Sequence, residues 1–270
     1  MNKPILQLHK DAGTCGEAAQ SKHLAMQVLR KVPEVTVYFW IIKLLTTALG
    51  ESTSDYLVFQ IDPRIAVVIG GIGLAIALTL QLAVRRYIAW IYWLAVIMVA
   101  VFGTMAADVV HIVLHVSYLI STVCFSVALA VVFVVWYASE KTLSIHSIYT
   151  RRRELFYWAT VMTTFALGTA TGDMTASTLH LGYFASGVLF AVLIAVPALG
   201  FWLFGLNEIL AFWFAYILTR PLGASFADWT GKAHSASGLA LGDGPVSLVL
   251  VILIIGFVGY LTVTRKDTKS

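Results

Sequence analysis

Four aspartates in this chain, Asp55, Asp108, Asp173 and Asp228, each stand five residues after a glycine and fifteen after a tryptophan. The glycines are Gly50, Gly103, Gly168 and Gly223; the tryptophans are Trp40, Trp93, Trp158 and Trp213. Carboxylates repeated at one register are suited to holding a cation or a proton, for which carboxylate oxygen is a common ligand. Each sits in a strongly apolar segment, where a lone charge is expensive and marks an ion path or a paired site. Glu51 adds a fifth acid, one residue after the first glycine. Arg220 lies three residues before Gly223, inside an apolar run where an unpaired Arg costs at least ~2.5 kcal/mol. It reads as a counter-charge, with Glu51 or Asp55 from another copy the expected partner.

A second constellation is Asp108-Val-Val-His111-Ile-Val-Leu-His115. On a helix those spacings put the carboxylate and both imidazoles on one face, a partial site for a divalent transition metal. Interhelical hydrogen bonding and interfacial titration are the competing roles for these histidines. His180 and His234, seven and six residues after their Asp, repeat the theme weakly. Lys43, three residues after Trp40, is expected to snorkel to the membrane interface. The chain has no HExxH, GxSxG or P-loop. Ala240-Leu241-Gly242-Asp243 lacks the first glycine of the Gly-x-Gly-Asp signature of intramembrane aspartyl proteases. No enzymatic activity is expected.

The elements that must position these residues are transmembrane helices. Hydrophobic residues make up 59% of the 270 and charged residues 12%, about half the charge of a soluble domain. Eight stretches approach the ~20 apolar residues a span needs: about 34–52, 64–84, 87–106, 110–137, 155–172, 180–204, 208–224 and 246–264. The expected fold is therefore all-α, with parallel pseudo-symmetry along the membrane normal. Its four two-helix repeats run about 34–84, 87–137, 155–204 and 208–264, as two pairs, copies one and two echoed by three and four. Residues 1–31 form a polar tail, with a short helix expected near 18–31, and 265–270 a short C-terminal tail. Cys15 and Cys124 suggest no disulfide. The N-terminus lacks the long apolar core of a cleaved signal peptide, so the first span serves as the targeting signal.

Loop charge sets the orientation. Fourteen of the eighteen cations, among them Arg30, Lys31, Arg85, Arg86 and Arg151 to Arg153, fall before span one, in the even-to-odd loops or at the C-terminus. Both termini are thus placed in the cytoplasm and every Gly-x4-Asp outside. With each Trp at the cytoplasmic interface, fifteen residues of helix climb about 22 Å and bring each Asp near the outer edge. The other reading of the motif is structural, with Asp capping the return helix and Gly ending the outward one. Copies one and three are rich in hydroxyls (Thr46, Thr47, Ser52, Thr53 and Ser54; Thr163, Thr164, Thr169, Thr171 and Thr175). These either line a path for ions or bond back to their own helix.

KVPEVTVYFWIIKLLTTALGESTSDYL, RRRELFYWATVMTTFALGTATGDMTA and FWFAYILTRPLGASFADWTGK resemble a bacterial family of uncharacterised membrane-anchored proteins. That family is described by a tandem repeat of unknown function, four copies of two spans each, with a characteristic Trp. The resemblance covers about residues 31–264 and implies eight spans and a bacterial inner membrane; it carries no activity. The residues themselves lead to a transporter or channel-like protein for a small cation. A divalent metal is its substrate, or transport is coupled to protons. The alternative is a membrane scaffold or sensor whose aspartates are caps. The partners expected are the bilayer and a small cation, with no nucleic acid; oligomeric state is left open.

Overall fold

The computed structural model describes residues 30–268. The residues before Arg30, including most of the expected helix near 18–31, lie outside the described residues, as do 269 and 270. Among the described residues, eight long helices run in chain order: α1 (Val37–Gln60), α2 (Pro63–Ala83), α3 (Ala89–Asp108), α4 (Tyr118–Glu140), α5 (Arg151–Asp173), α6 (Gly182–Phe204), α7 (Glu208–Gly231) and α8 (Asp243–Thr264). Six are long and apolar enough to cross a membrane. The two that fall short, α1 and α5, carry the hydroxyl-rich motif copies. They hold the same places in the bundle as α3 and α7, with their polar side chains turned inward.

The odd-numbered helices form a closed ring, α1 to α3 to α5 to α7 and back to α1. Each even-numbered helix packs on the outside, and its main neighbour is the outward helix of the following copy. Thus α2 lies on α3, α4 on α5, α6 on α7, and α8 closes the circle on α1. The packing unit is a return helix with the next outward helix, so the two-helix hairpin of the sequence repeat is a unit of sequence and not of contact. Such a ring is the circular counterpart of a repeat array in which each unit buries its apolar face only against its neighbours.

Four start signals have plain causes. Thr36, Ser117 and Thr150 accept a backbone N–H as N-caps of α1, α4 and α5, and Asp62 does so for α2 with Pro63 behind it. The ends of the outward helices differ from expectation. The first and seventh run on past their aspartates to Gln60 and Gly231, where spans ending near 52 and 224 were expected. The other two pass into five-residue π-helices, Val109–Val113 and Met174–Thr178, directly after Asp108 and Asp173. Residues 110–117 therefore lie outside the fourth membrane helix. Copies two and three match each other here, and copies one and four do, which is a different pairing from the one the Trp spacing suggested.

At the opposite end, residues 30–36 strap the bundle together. Lys31 donates to Glu154 at 2.5 Å and its backbone N–H to Ile148; Glu34 N–H donates to Asp267 O, and Tyr87 N–H to Arg30 O. Lys31 and Glu154 are buried. Gln81 satisfies the second carboxylate oxygen at 3.0 Å, as a buried ion pair requires. Burial raises the Asp267 carboxyl above its ordinary range, opposed by the Tyr87 hydroxyl that donates to it at 2.5 Å.

Candidate cation site on the repeat axis

The four motif copies build the bundle axis in layers. Immediately before each Trp stands an aromatic residue, Phe39, Tyr92, Tyr157 or Phe212. Each of these packs on the tryptophan of the next copy: Phe39 on Trp93, Tyr92 on Trp158, Tyr157 on Trp213 and Phe212 on Trp40, with centroids 5.7, 5.8, 6.2 and 5.7 Å apart. The Tyr92 and Tyr157 hydroxyls meet at 2.5 Å. Trp93, Trp158 and Trp213 are buried. The expected role of the motif tryptophans as interface anchors is therefore corrected: they form an aromatic plug, because each has a ring of the adjacent copy to pack against.

Lys43 lies above this plug. It is 1% exposed, and its ammonium sits 4.0 Å from the ring centres of both Phe165 and Tyr216, with no hydrogen-bond partner among the described residues. It does not snorkel. Its side chain is enclosed by α5 and α7, and two ring faces supply the attraction that water would otherwise give.

The glycines come next, and none of the four ends its helix. Gly50, Gly103, Gly168 and Gly223 are all inside their helices. Each faces the residue three before the glycine of the next copy: Gly50 faces Ala100, Gly103 Phe165, Gly168 Arg220 and Gly223 Thr47. A Cβ at any of the four would overlap that neighbour. Small residues are what let membrane helices approach this closely.

Arg220 is rooted in this layer and fully buried. From copy four it reaches the residue that follows the glycine in each of the other three copies. One terminal nitrogen donates to Glu51 at 2.5 Å, to Thr169 Oγ1 at 2.7 Å and to Thr104 Oγ1; the other donates to Thr47 O at 3.1 Å. Glu51 is the partner expected from sequence; Asp55 is not. Thr169 is among the hydroxyls singled out from sequence and Thr104 is not, yet both stand at the register of Glu51 in their own copies, and that alignment was readable. Most of the other hydroxyls bond back to their own helix. Thr46, Thr163, Thr164 and Thr171 donate to carbonyls three or four residues earlier, the back-bonding role expected of such residues in membrane helices.

One helical turn beyond Glu51 stand the four aspartates. Asp55 and Asp228 converge with Glu51, their ligand oxygens within 4.8 Å of one another. Lys232, at the C-cap of α7, places its ammonium on Asp55 and 3.9 Å from Asp228. The loop after it folds back over the helix end, with Ala240 N–H on Lys232 O at 2.8 Å and Leu241 N–H on Thr230 O at 3.1 Å. Asp108 and Asp173 face the same charged centre, repelled by Glu51 and Asp55 and attracted at longer range by Arg220, and for Asp173 also by Lys232. They are half-buried, and among the described residues they have neither ion pair nor hydrogen bond. None of the four caps a return helix.

The histidines stand apart. The π-helix ends at Val113, so His115 falls outside it in a left-handed conformation (φ 52°), exposed. The expected single face of Asp108, His111 and His115 is thus broken. His111 stacks on Tyr118, centroids 3.5 Å apart, and pairs through Nδ1 with Val116 O at 2.7 Å. His180 repeats the conformation of His115 (φ 55°), and His234 pairs with Gly238 O. The candidate site is therefore built from carboxylates alone, an all-oxygen donor set that suits hard cations better than soft ones.

A family described as "Repeat of Unknown Function (DUF347)" matches the chain four times, at residues 38–87, 91–142, 156–205 and 211–267. The chain belongs to this family. Each match begins two residues before a motif tryptophan, so the family's unit is the one that places the plug, the glycine contact and the acid. No curated protein and no solved structure matches the chain. The chain is a multi-pass membrane protein built from four repeats.

Proposed function

We propose that this protein transports a small, hard cation across a bacterial inner membrane, with both termini cytoplasmic and the aspartate ring facing outward. The observation that carries the reading is the ammonium of Lys232, seated between Asp55 and Asp228 beside Glu51. One half of the ring already holds a cation supplied by the chain, and in the other half Asp108 and Asp173 have no ion pair among the described residues. Burying unpaired carboxylates is costly, and a bound cation relieves that cost. Six carboxylates, counting Asp243 beside Lys232, face two cations, Arg220 and Lys232, around this vestibule. Divalent Mn, Mg or Ca fits the all-oxygen ligand set. The orientation rests on the excess of Lys and Arg at the tryptophan end.

Below the vestibule the axis is closed by Arg220, Lys43 and the aromatic plug. Passage thus requires the ring to open, and alternating exposure is the mechanism that fits. The capping role that the scaffold reading gives the aspartates finds no support in the helix ends, since the four helices run through or turn π-helical there. The test is Mn²⁺ uptake into proteoliposomes loaded with a metal-quenched dye. Wild type is expected to give flux above empty vesicles, and Asp108→Asn/Asp173→Asn to lower it at least tenfold. Equal flux from a correctly inserted double variant, or none from wild type with Mn²⁺, Mg²⁺ and Ca²⁺, would overturn the reading.

A further inference from the structure

A cavity of about 780 Å³ opens near the tryptophan end, between α1, α6, α7 and the loop joining α4 to α5. It lies away from the aspartate ring, beside the aromatic plug whose Trp40 and Phe212 help line it. Its volume falls within the range of sites for drug-sized molecules. Three rings line it, those of Trp40, Phe201 and Phe212, with Trp40 and Phe212 centroids 5.7 Å apart. Of the four motif tryptophans, Trp40 alone is only half-buried, and this cavity is what its ring faces. Glu34 and Glu208 stand in the lining as well, on either side of His146, whose Nδ1 is 3.7 Å from Glu34 and Nε2 3.6 Å from Glu208. Arg30 also pairs with Glu34. The rest of the wall is aliphatic, with Leu44, Ile194 and Ala198 among its residues, and the inner end reaches Thr219, next to Arg220.

We propose that this cavity binds a lipophilic organic cation, of quaternary ammonium or phosphonium type. Aromatic rings offer their negative faces to a cation that has no hydrogen to donate, which is how such ions are recognised. With Glu34 and Glu208 set against Arg30, the acids leave the mouth net negative among the described residues, and the aliphatic wall takes the apolar groups. An anionic amphiphile is disfavoured by Glu34 and Glu208. A neutral one would gain from the wall but not from the rings and acids.

Protein in phosphatidylcholine nanodiscs is dialysed to equilibrium against radiolabelled tetraphenylphosphonium. Saturable binding of one cation per chain above empty nanodiscs is expected. Ala198→Trp, which fills the cavity from the exposed side of α6, is expected to weaken it at least tenfold. Glu208→Gln is expected to weaken it several-fold, and adding Glu34→Gln to weaken it further. Asp55→Asn/Asp228→Asn, at the other end of the molecule, is expected to leave it unchanged. Only variants that keep wild-type helix content and elute as wild type are compared, and Ala195→Phe serves if Ala198→Trp does not assemble. Binding no greater than to empty nanodiscs, unchanged binding in both filling variants, or loss confined to the aspartate variant would each overturn the proposal. So would equal affinity for wild type and Glu34→Gln/Glu208→Gln, since the acids would then contribute nothing.

Discussion

The two halves of the aspartate ring are built from the same motif and end differently. In copies one and four the outward helix runs straight past the acid, and Lys232 reaches across from the end of α7 to neutralise Asp55 and Asp228. In copies two and three the helix widens into a π-turn directly after the acid, then breaks at a left-handed histidine. Neither Asp108 nor Asp173 has a direct ion pair among the described residues, and Arg220, with Lys232 for Asp173, acts on them only at longer range. The positions four residues after the four aspartates are Phe59, Ile112, Ser177 and Lys232, so the only amine falls in copy four. One half is a carboxylate pair with a lysine ammonium attached, and the other two aspartates have no ion pair among the described residues. Single π-turns recur at functional sites because they re-aim side chains without ending the helix.

The largest effect is expected where both halves share a partner. Arg220→Leu leaves Glu51 buried without its cation and strands Thr104 and Thr169. A loss of about 3–5 kcal/mol is expected, read as a fall in melting temperature of roughly 10 °C in detergent. An unchanged melting temperature would show that the axis does not depend on the ion pair. Next comes the contact below it. Gly168→Ala drives a methyl group into the Arg220 side chain and is expected to cost about 1–3 kcal/mol, whereas Gly256→Ala, with nothing within 4 Å, is expected to be neutral. Equal melting curves for the two would remove the close-approach argument.

The comparison of halves is sharpened by Lys232→Met. Freeing Asp55 and Asp228 is expected to tighten Mn²⁺ binding, followed by electron paramagnetic resonance, about tenfold, or ~1.4 kcal/mol. Weaker binding would mean that the lysine organises the site and does not compete for it. The smallest effect is expected from His115→Gly. Glycine relieves a left-handed residue of about 1 kcal/mol of strain, so stability should hold or rise slightly and Mn²⁺ affinity should not change. A loss of affinity would restore the histidine as a ligand.

Much of the architecture was legible in the chain. The helices, the repeat and the presence of a buried acid for Arg220 follow from apolar length, spacing and the cost of a lone charge. The tryptophans were misplaced because the same amphipathic ring suits a lipid interface and a packed plug, and only the neighbouring copy decides between them. The aromatic residue before each Trp was the available signal. Lys43 was misjudged for a related reason: a long side chain near a helix end snorkels if the way out is open, and here α5 and α7 close it. The metal face of Asp108, His111 and His115 assumed a continuing helix, and the π-turn changed the angular step between residues.

By itself the sequence determined that four equivalent helices carry one acid each to one end of a membrane bundle. Apolar length, period and charge are local properties, and they suffice for that. The tertiary structure decided which copy each helix touches, that each glycine faces its neighbour's third residue back, and that Arg220 gathers the three other copies on the axis. It also decided that the four equal aspartates become two unequal pairs. Those are properties of contacts between residues 50 to 180 positions apart, and a pseudo-symmetric ring offers every copy the same contacts until one side chain, such as Lys232, differs.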